Sequence, residues 1–171
     1  ALFSDLDRTL IFSHRVELPG EKLPVELLEG RVQSYMTRRT LAYLQEATWL
    51  RLIPVTMRSL EQYQRISVFQ TLLPCRYALI CNGGVLLADG EADPVWLRET
   101  RRLAAPELEE LERAVTVFRS LTDAVRTPMD LMAYALCSDP EKVVETLRGA
   151  VNGSLLAVRA DKGKVYCLPR S

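Results

Sequence analysis

The chain opens Ala1-Leu2-Phe3-Ser4-Asp5-Leu6-Asp7-Arg8-Thr9-Leu10. A short apolar run ends in two carboxylates two residues apart, followed by a hydroxyl. Such a run reads as a buried parallel strand, and its carboxylates fall where the strand gives way to a loop. In open α/β sheets that edge is where ligands bind. Neighbouring carboxylates repel unless a cation or a shared proton relieves them, and a divalent metal held by oxygen ligands is the simplest relief. The plain alternative is a pair of solvated acids at a strand end.

Beyond this run the chain alternates between strand and helix. Residues 14–29, punctuated by Pro19, Gly20 and Pro24, read as a long irregular loop or flap, placed to cover the carboxylates. A helix is expected over residues 37–48, with Leu41, Leu44 and Ala47 as its buried stripe. Residues 50–56 form a second strand, whose Pro54 is tolerable near an end. Ser59 reads as the N-cap of a helix over residues 59–70, with Gln62 as its capping-box partner. Residues 77–81 make a third strand, ending at Asn82-Gly83-Gly84. This β-α-β-α-β order predicts the α/β class, with a Rossmann-like parallel sheet and right-handed crossovers.

The pattern then changes. Residues 85–87 and 95–97 suggest a hairpin around Asp89-Gly90. A helix over 106–120, a strand over 131–137 and a helix over 140–151 come next, the last capped by Ser138 or Asp139. Residues 155–159 and 164–168 pair around Asp161-Lys162-Gly163. This ββαβαββ half predicts an antiparallel sheet with helices on one face, an α+β cap inserted into the core. The expected division is residues 1–84 as core, 85–169 as cap and 170–171 as the return to a core left incomplete at the C-terminus.

Composition narrows the partners. Lys and Arg together number 22, matched by 22 Asp and Glu, so no basic excess suggests a nucleic-acid binder. Nearly half of the 171 residues are apolar, as in an ordinary soluble globule. The four cysteines (Cys75, Cys81, Cys137, Cys167) lack CxxC spacing and read as small core residues in a reducing compartment. No apolar run is long enough for a membrane helix and none resembles a signal peptide, so a cytoplasmic location is expected.

Phe3-Ser4-Asp5-Leu6-Asp7-Arg8-Thr9-Leu10 resembles the first motif of the haloacid dehalogenase (HAD) superfamily of phosphatases, a hydrophobic strand followed by Asp-x-Asp-x-Thr. Val55-Thr56-Met57-Arg58-Ser59 is similar to the second motif, a strand ending in Thr or Ser and often followed by Gly-Arg, with methionine in place of the glycine. Ile80-Cys81-Asn82-Gly83-Gly84 resembles the stretch before the large α+β cap of the Cof-type and sucrose-phosphatase-like branch. The resemblance implies a Mg²⁺-dependent phosphatase acting on a small phosphorylated metabolite, with sugar phosphates the commonest substrates of that branch.

The chemistry is sensible for these residues. Asp5 can attack phosphorus as a nucleophile and split one hard displacement into two. Asp7 can protonate the leaving oxygen and then activate water. Asp5 and Asp7 are the expected metal residues, and the resemblance implies that Asp7 contributes its backbone carbonyl. Thr56 can donate a hydrogen bond to a phosphoryl oxygen, or act as strand filler or helix cap. Arg58 can pair with a substrate anion, or make a surface ion pair. Asn82 can contact substrate or cap a turn. His14, Arg8 and Arg15 are weaker candidates near the site, and Gly83-Gly84 reads as a hinge into the cap.

The family also uses a lysine and later acidic residues, which in capped members follow the cap. They are expected beyond Ser171, the chain being a fragment or one part of a split protein. Two other accounts are a non-catalytic remnant that still binds phosphate or metal, and a chain in which Lys162 takes the lysine's place. A phosphomutase is the alternative among enzymes. Oligomeric state is not encoded in any feature of the sequence.

Overall fold

The opening apolar run forms strand β1 (Leu2–Asp5), and the chain then builds a small antiparallel sheet from β2 (Phe12–Ser13), β3 (Lys22–Leu28) and β4 (Arg31–Thr37). The structure is a computed structural model that describes residues 1–161 and 163–170. The expected irregular flap over residues 14–29 is therefore corrected. Its second half is a strand, and the small sheet runs in the order β2-β4-β3. Glu29 and Gly30 make the tight β3–β4 turn, both at positive φ (50° and 74°), as two-residue hairpin turns require. A Glu-Gly pair is a weaker hairpin signal than Asn-Gly or Asp-Gly, which hid the turn in the sequence.

β3 carries a bulge. Pro24 lies opposite Tyr35 and Glu26 opposite Ser34, so Val25 is an extra residue between two successive partners; Leu27 then lies opposite Val32, which leaves Gln33 extra on β4 and restores the register. A regular strand points neighbours to opposite faces. Here Val25 and Glu26 are both buried.

Helix α1 (Arg38–Glu46) comes next, its first turn closed by Thr37, whose side chain accepts from the Thr40 N–H. Strand β5 (Leu52–Val55) then pairs in parallel with β1, Leu2 opposite Leu52 through Asp5 opposite Val55. The helix expected over residues 59–70 is two short ones, α2 (Leu60–Gln64) and α3 (Val68–Thr71). The Ser59–Gln62 capping box is present. The break has a local cause: Ile66 bridges to Glu26 of β3, and the Ser67 N–H donates to the Val25 carbonyl at 2.9 Å. The Ser67 N–H is thereby withdrawn from helical bonding, while the Ile66 N–H still donates to the Tyr63 carbonyl.

Strand β6 (Tyr77–Ile80) pairs in parallel with β5, and β7 (Val85–Ala88) and β8 (Glu91–Ala92) extend the sheet antiparallel to it. The order is β1-β5-β6-β7-β8. Helix α4 (Pro94–Leu103) takes residues 95–97, which had been expected as a strand. Asp93 caps it by accepting from the N–H groups of Val95 and Trp96, a start signal that Asp-Pro states in the sequence. The α/β class with a parallel Rossmann-like core is thus observed. β1, however, is not buried: it lies at the sheet's edge with Phe3 61% exposed, because among the described residues only β5 pairs with it.

By internal contacts the chain divides into Ala1–Trp96 and a second unit beginning at Leu97, not at 84/85. The β7–β8 hairpin goes with the first unit because β7 completes that unit's sheet. The second unit has helix α5 (Ala105–Leu121), strand β9 (Ala133–Leu136), helix α6 (Pro140–Ala150) and strands β10 (Leu156–Asp161) and β11 (Lys164–Pro169). Its sheet is antiparallel in the order β10-β11-β9. Leu111, Ala114 and Phe118 of α5 and Leu147 of α6 pack with Val165 and Cys167 in its core. No helix among the described residues is long and apolar enough to cross a membrane.

Candidate functional site

The three parallel strands β1, β5 and β6 end side by side, and each expected site residue of the first unit lies at or just past one of those ends. After β1 the chain turns tightly: Thr9, Leu10 and Ile11 donate their N–H groups to the Leu6 carbonyl, and Arg8 donates to Ile11. Buried Leu6, Leu10 and Ile11 anchor this turn, and Arg8 takes a positive φ of 67° to close it. The turn leaves Asp5 and Asp7 facing solvent. Asp5 accepts a hydrogen bond from the Thr9 hydroxyl at 3.2 Å, so Thr9 orients the carboxylate.

After β5, Thr56 is buried, its N–H bound to the Leu79 carbonyl at 2.9 Å. Its hydroxyl oxygen accepts from the Arg58 N–H at 3.2 Å, a bond that uses a lone pair and keeps the hydroxyl proton for donation. After β6, Cys81, Asn82 and Gly83 run consecutively at positive φ, 50°, 59° and 88°. The Cys81 and Asn82 N–H groups donate back to the carbonyls of Arg58 and Thr56, tying this turn to the one after β5. Asp5, Thr56 and Asn82 line one hollow with Phe3, Ser4, Val55 and Met57, a space of about 370 Å³, the scale of a small-ligand site.

Asp7 and Arg58 sit together beside it. Arg58 Nη2 donates to Asp7 Oδ1 at 2.9 Å and Nε to Oδ2 at 3.0 Å, a two-pronged pair. On its other side, Arg58 Nη1 lies 3.0 Å from Glu26 Oε2 and donates to the Gln62 carbonyl at 3.4 Å. Glu26 also accepts from the Ser34 hydroxyl at 2.7 Å and lies 3.4 Å from Arg65 Nε. Burial lowers the readiness of the Arg58 guanidinium to hold its proton. The hydrogen bond and charge of Asp7, joined by Glu26, more than offset this, and its pKa is raised above the ordinary value. Both sequence readings of Arg58 are therefore modified: it pairs with carboxylates of its own chain, one of them buried.

Glu26 is the residue that sequence reasoning missed. The signal was present, since Glu26 is the one charge inside the apolar stretch Leu23-Pro24-Val25-Glu26-Leu27-Leu28. The flap reading placed that stretch in a loop, where a charge needs no explanation. His14 is an exposed residue whose Nδ1 lies 3.3 Å from the Gln33 carbonyl, in the small sheet. Lys164 is in β11, its Nζ over the Tyr134 ring at 5.7 Å. Lys162, which one alternative account puts in the place of the family's lysine, falls outside the described residues.

For a metal, the available donors are the Asp5 carboxylate and the Asp7 carbonyl. Both Asp7 carboxylate oxygens already accept from Arg58, whereas the turn's backbone bonds run to Leu6 and Ile11, so that no hydrogen bond among the described residues uses the Asp7 carbonyl. Two hard oxygen donors with room for water and phosphate oxygens suit Mg²⁺, which keeps several waters and needs few protein ligands. Among the described residues no group of three or more His, Cys, Asp or Glu is placed to hold a metal by side chains alone.

Neither a protein-family model nor a curated protein sequence matches the chain. Among solved structures, it is similar to the sucrose-phosphatase of Synechocystis sp. PCC6803 in complex with sucrose and phosphate. The TM-score is 0.51 at 17% identity, over 76% of this chain and 57% of that one. It is also similar to a hypothetical protein from Geobacillus kaustophilus HTA426, with a TM-score of 0.47 at 14% identity, over 99% of this chain and 68% of that one. The chain thus spans a little over half the length of the sucrose-phosphatase. The likeness to that structure bears out the expected α/β fold.

Proposed function

We propose that this chain carries the nucleophile and the acid/base of a Mg²⁺-dependent phosphatase that acts on a small phosphorylated metabolite through an aspartyl-phosphate. A sugar phosphate is the substrate class favoured, in line with the sucrose and phosphate bound to the similar structure. The carrying observation is that Asp5 shares one hollow with Thr56 and Asn82 while Asp7 is held beside it by Arg58.

In the first half-reaction an Asp5 carboxylate oxygen attacks phosphorus, the bond from phosphorus to the ester oxygen breaks, and that oxygen takes a proton from Asp7. In the second, Asp7 takes a proton from water as the water oxygen attacks phosphorus, and the Asp5–phosphorus bond returns its electron pair to Asp5. The Thr56 hydroxyl donates to a phosphoryl oxygen while charge develops there, and Asn82 is placed to contact the substrate. Mg²⁺, when bound by the Asp5 carboxylate and the Asp7 carbonyl, would offset the negative charge that the substrate brings to Asp5. We assign the second unit the role of the cap that selects substrate, on its α+β make-up.

The test is Mg²⁺-dependent phosphate release by the full-length protein from p-nitrophenyl phosphate and a panel of sugar phosphates, repeated with Asp5→Asn. A loss of at least about 10²-fold is expected on removing the nucleophile. Unchanged release would overturn the assignment.

A further inference from the structure

Glu26 lies outside the hollow and touches no candidate substrate atom, yet it is the buried end of a chain of contacts that reaches Asp7. We propose that Glu26 is a positioning residue: through Arg58 it fixes the Asp7 carboxylate in the attitude needed to take a proton from the attacking water. The proposal rests on the phosphatase reading and adds a residue to it.

The geometry carries this in three parts. Glu26 is a carboxylate with only 5% of its side chain exposed, and a buried charge persists only where partners hold it. Its partners hold both oxygens, Ser34 Oγ at 2.7 Å and Arg58 Nη1 at 3.0 Å on Oε2, and Arg65 Nε at 3.4 Å on Oε1. Arg58, 14% exposed, is thereby held at one end, and its other two nitrogens grip both Asp7 oxygens at 2.9 and 3.0 Å. Asp7 itself is 56% exposed and has no other side-chain partner among the described residues, so its orientation depends on Arg58.

The grip also selects a step. Both Asp7 oxygens accept hydrogen bonds from the Arg58 guanidinium, which holds Asp7 as the carboxylate, the form from which a general base starts. That suits the second half-reaction, in which a water proton passes to Asp7 while the water oxygen bonds to phosphorus and Asp5 leaves with its electron pair. The first half-reaction needs no proton when the leaving group is p-nitrophenolate. Loosening Asp7 then slows only the second step.

The test uses the full-length protein with Mg²⁺ and p-nitrophenyl phosphate. In Glu26→Gln, kcat should fall at least about ten-fold, part of the 10²–10⁴ that general base assistance contributes. kcat/KM, which reports the first step, should stay within about two-fold, and KM should fall in parallel with kcat. A burst of p-nitrophenolate equal to the enzyme concentration should appear. A merely structural Glu26 would lower kcat and kcat/KM together with KM unchanged and no burst, and that result would overturn the proposal while leaving the phosphatase reading intact. Wild-type protein without Mg²⁺-dependent turnover would overturn both. If Glu26→Gln does not fold, Ser34→Ala, which removes the hydrogen bond to Glu26 Oε2 and leaves the two arginines in place, decides by the same split with a smaller effect.

Discussion

Replacing Arg58 by methionine tests the Asp7–Arg58–Glu26 array through stability, without any assay of turnover. The substitution keeps much of the side chain's length and removes its charge. Glu26 is left with a carboxylate 5% exposed and only Ser34 and Arg65 nearby. Breaking a buried pair from one side costs up to about 3–5 kcal/mol, reduced here by the Arg65 cation that stays 3.4 Å from Glu26 Oε1. The Asp7 arm adds little, since Asp7 is 56% exposed and such pairs are worth about 0–1 kcal/mol. Asp7→Asn alone should therefore cost less than about 1 kcal/mol. Adding Glu26→Gln to Arg58→Met removes the stranded charge, so the double variant should lose less than the sum of the singles by about 1–3 kcal/mol. Urea unfolding followed by far-ultraviolet circular dichroism measures the wild type, the three single variants and the double variant. Additive losses, or an Asp7→Asn cost equal to that of Arg58→Met, would refute the picture of one buried and one exposed arm.

Other outcomes rest on local features. Gly30 sits at φ 74° with open space around a would-be Cβ, so Gly30→Val should cost about 1–2 kcal/mol through backbone strain alone, read by urea unfolding. Phe118 is fully buried in the second unit's core, and Phe118→Ala should destabilise by about 3–5 kcal/mol, seen as a lower urea midpoint for that unit. Burial pushes the thiols of Cys75 and Cys81 up to about 11 and that of Cys167 up to about 12, from an ordinary 9.0. The folded state thus keeps protons that the unfolded chain gives up. Their contribution is full below about pH 9 and is lost as pH rises through 11 to 12. A stability profile flat across that range would contradict it.

Much of the core was legible in the sequence because local signals agreed with the fold. The run ending at Asp5, the strand before Thr56 and the strand before Asn82 all end at the same sheet edge, as alternation with helices requires. The Ser59–Gln62 box was readable for the same reason: it is complete within four residues. What escaped depended on distant partners. The break between α2 and α3 comes from β3 taking the Ser67 N–H, which no pattern within residues 59–70 encodes. The β7–β8 hairpin was placed with the second half because its own residues do not say which sheet it joins. Arg58 was recognised as a candidate, but its true neighbours, Asp7 and Glu26, are 51 and 32 positions away, and only the folded chain brings them together.

The bulge in β3 has a consequence of its own. A regular pleat offers one inward place where this strand needs two, one for packing and one for charge. Without the extra residue, Val25 and Glu26 would compete for that place, and the small sheet could support either the fold or the carboxylate pair, not both. Val25 goes to the interior and lends its carbonyl to Ser67, while Glu26 goes to Arg58. Both duties are reconciled by a local slip of register at Val25 that Gln33 of β4 takes back, so the flanking pairs from Lys22–Thr37 to Leu28–Arg31 keep one register while a single deletion in either strand would undo the arrangement.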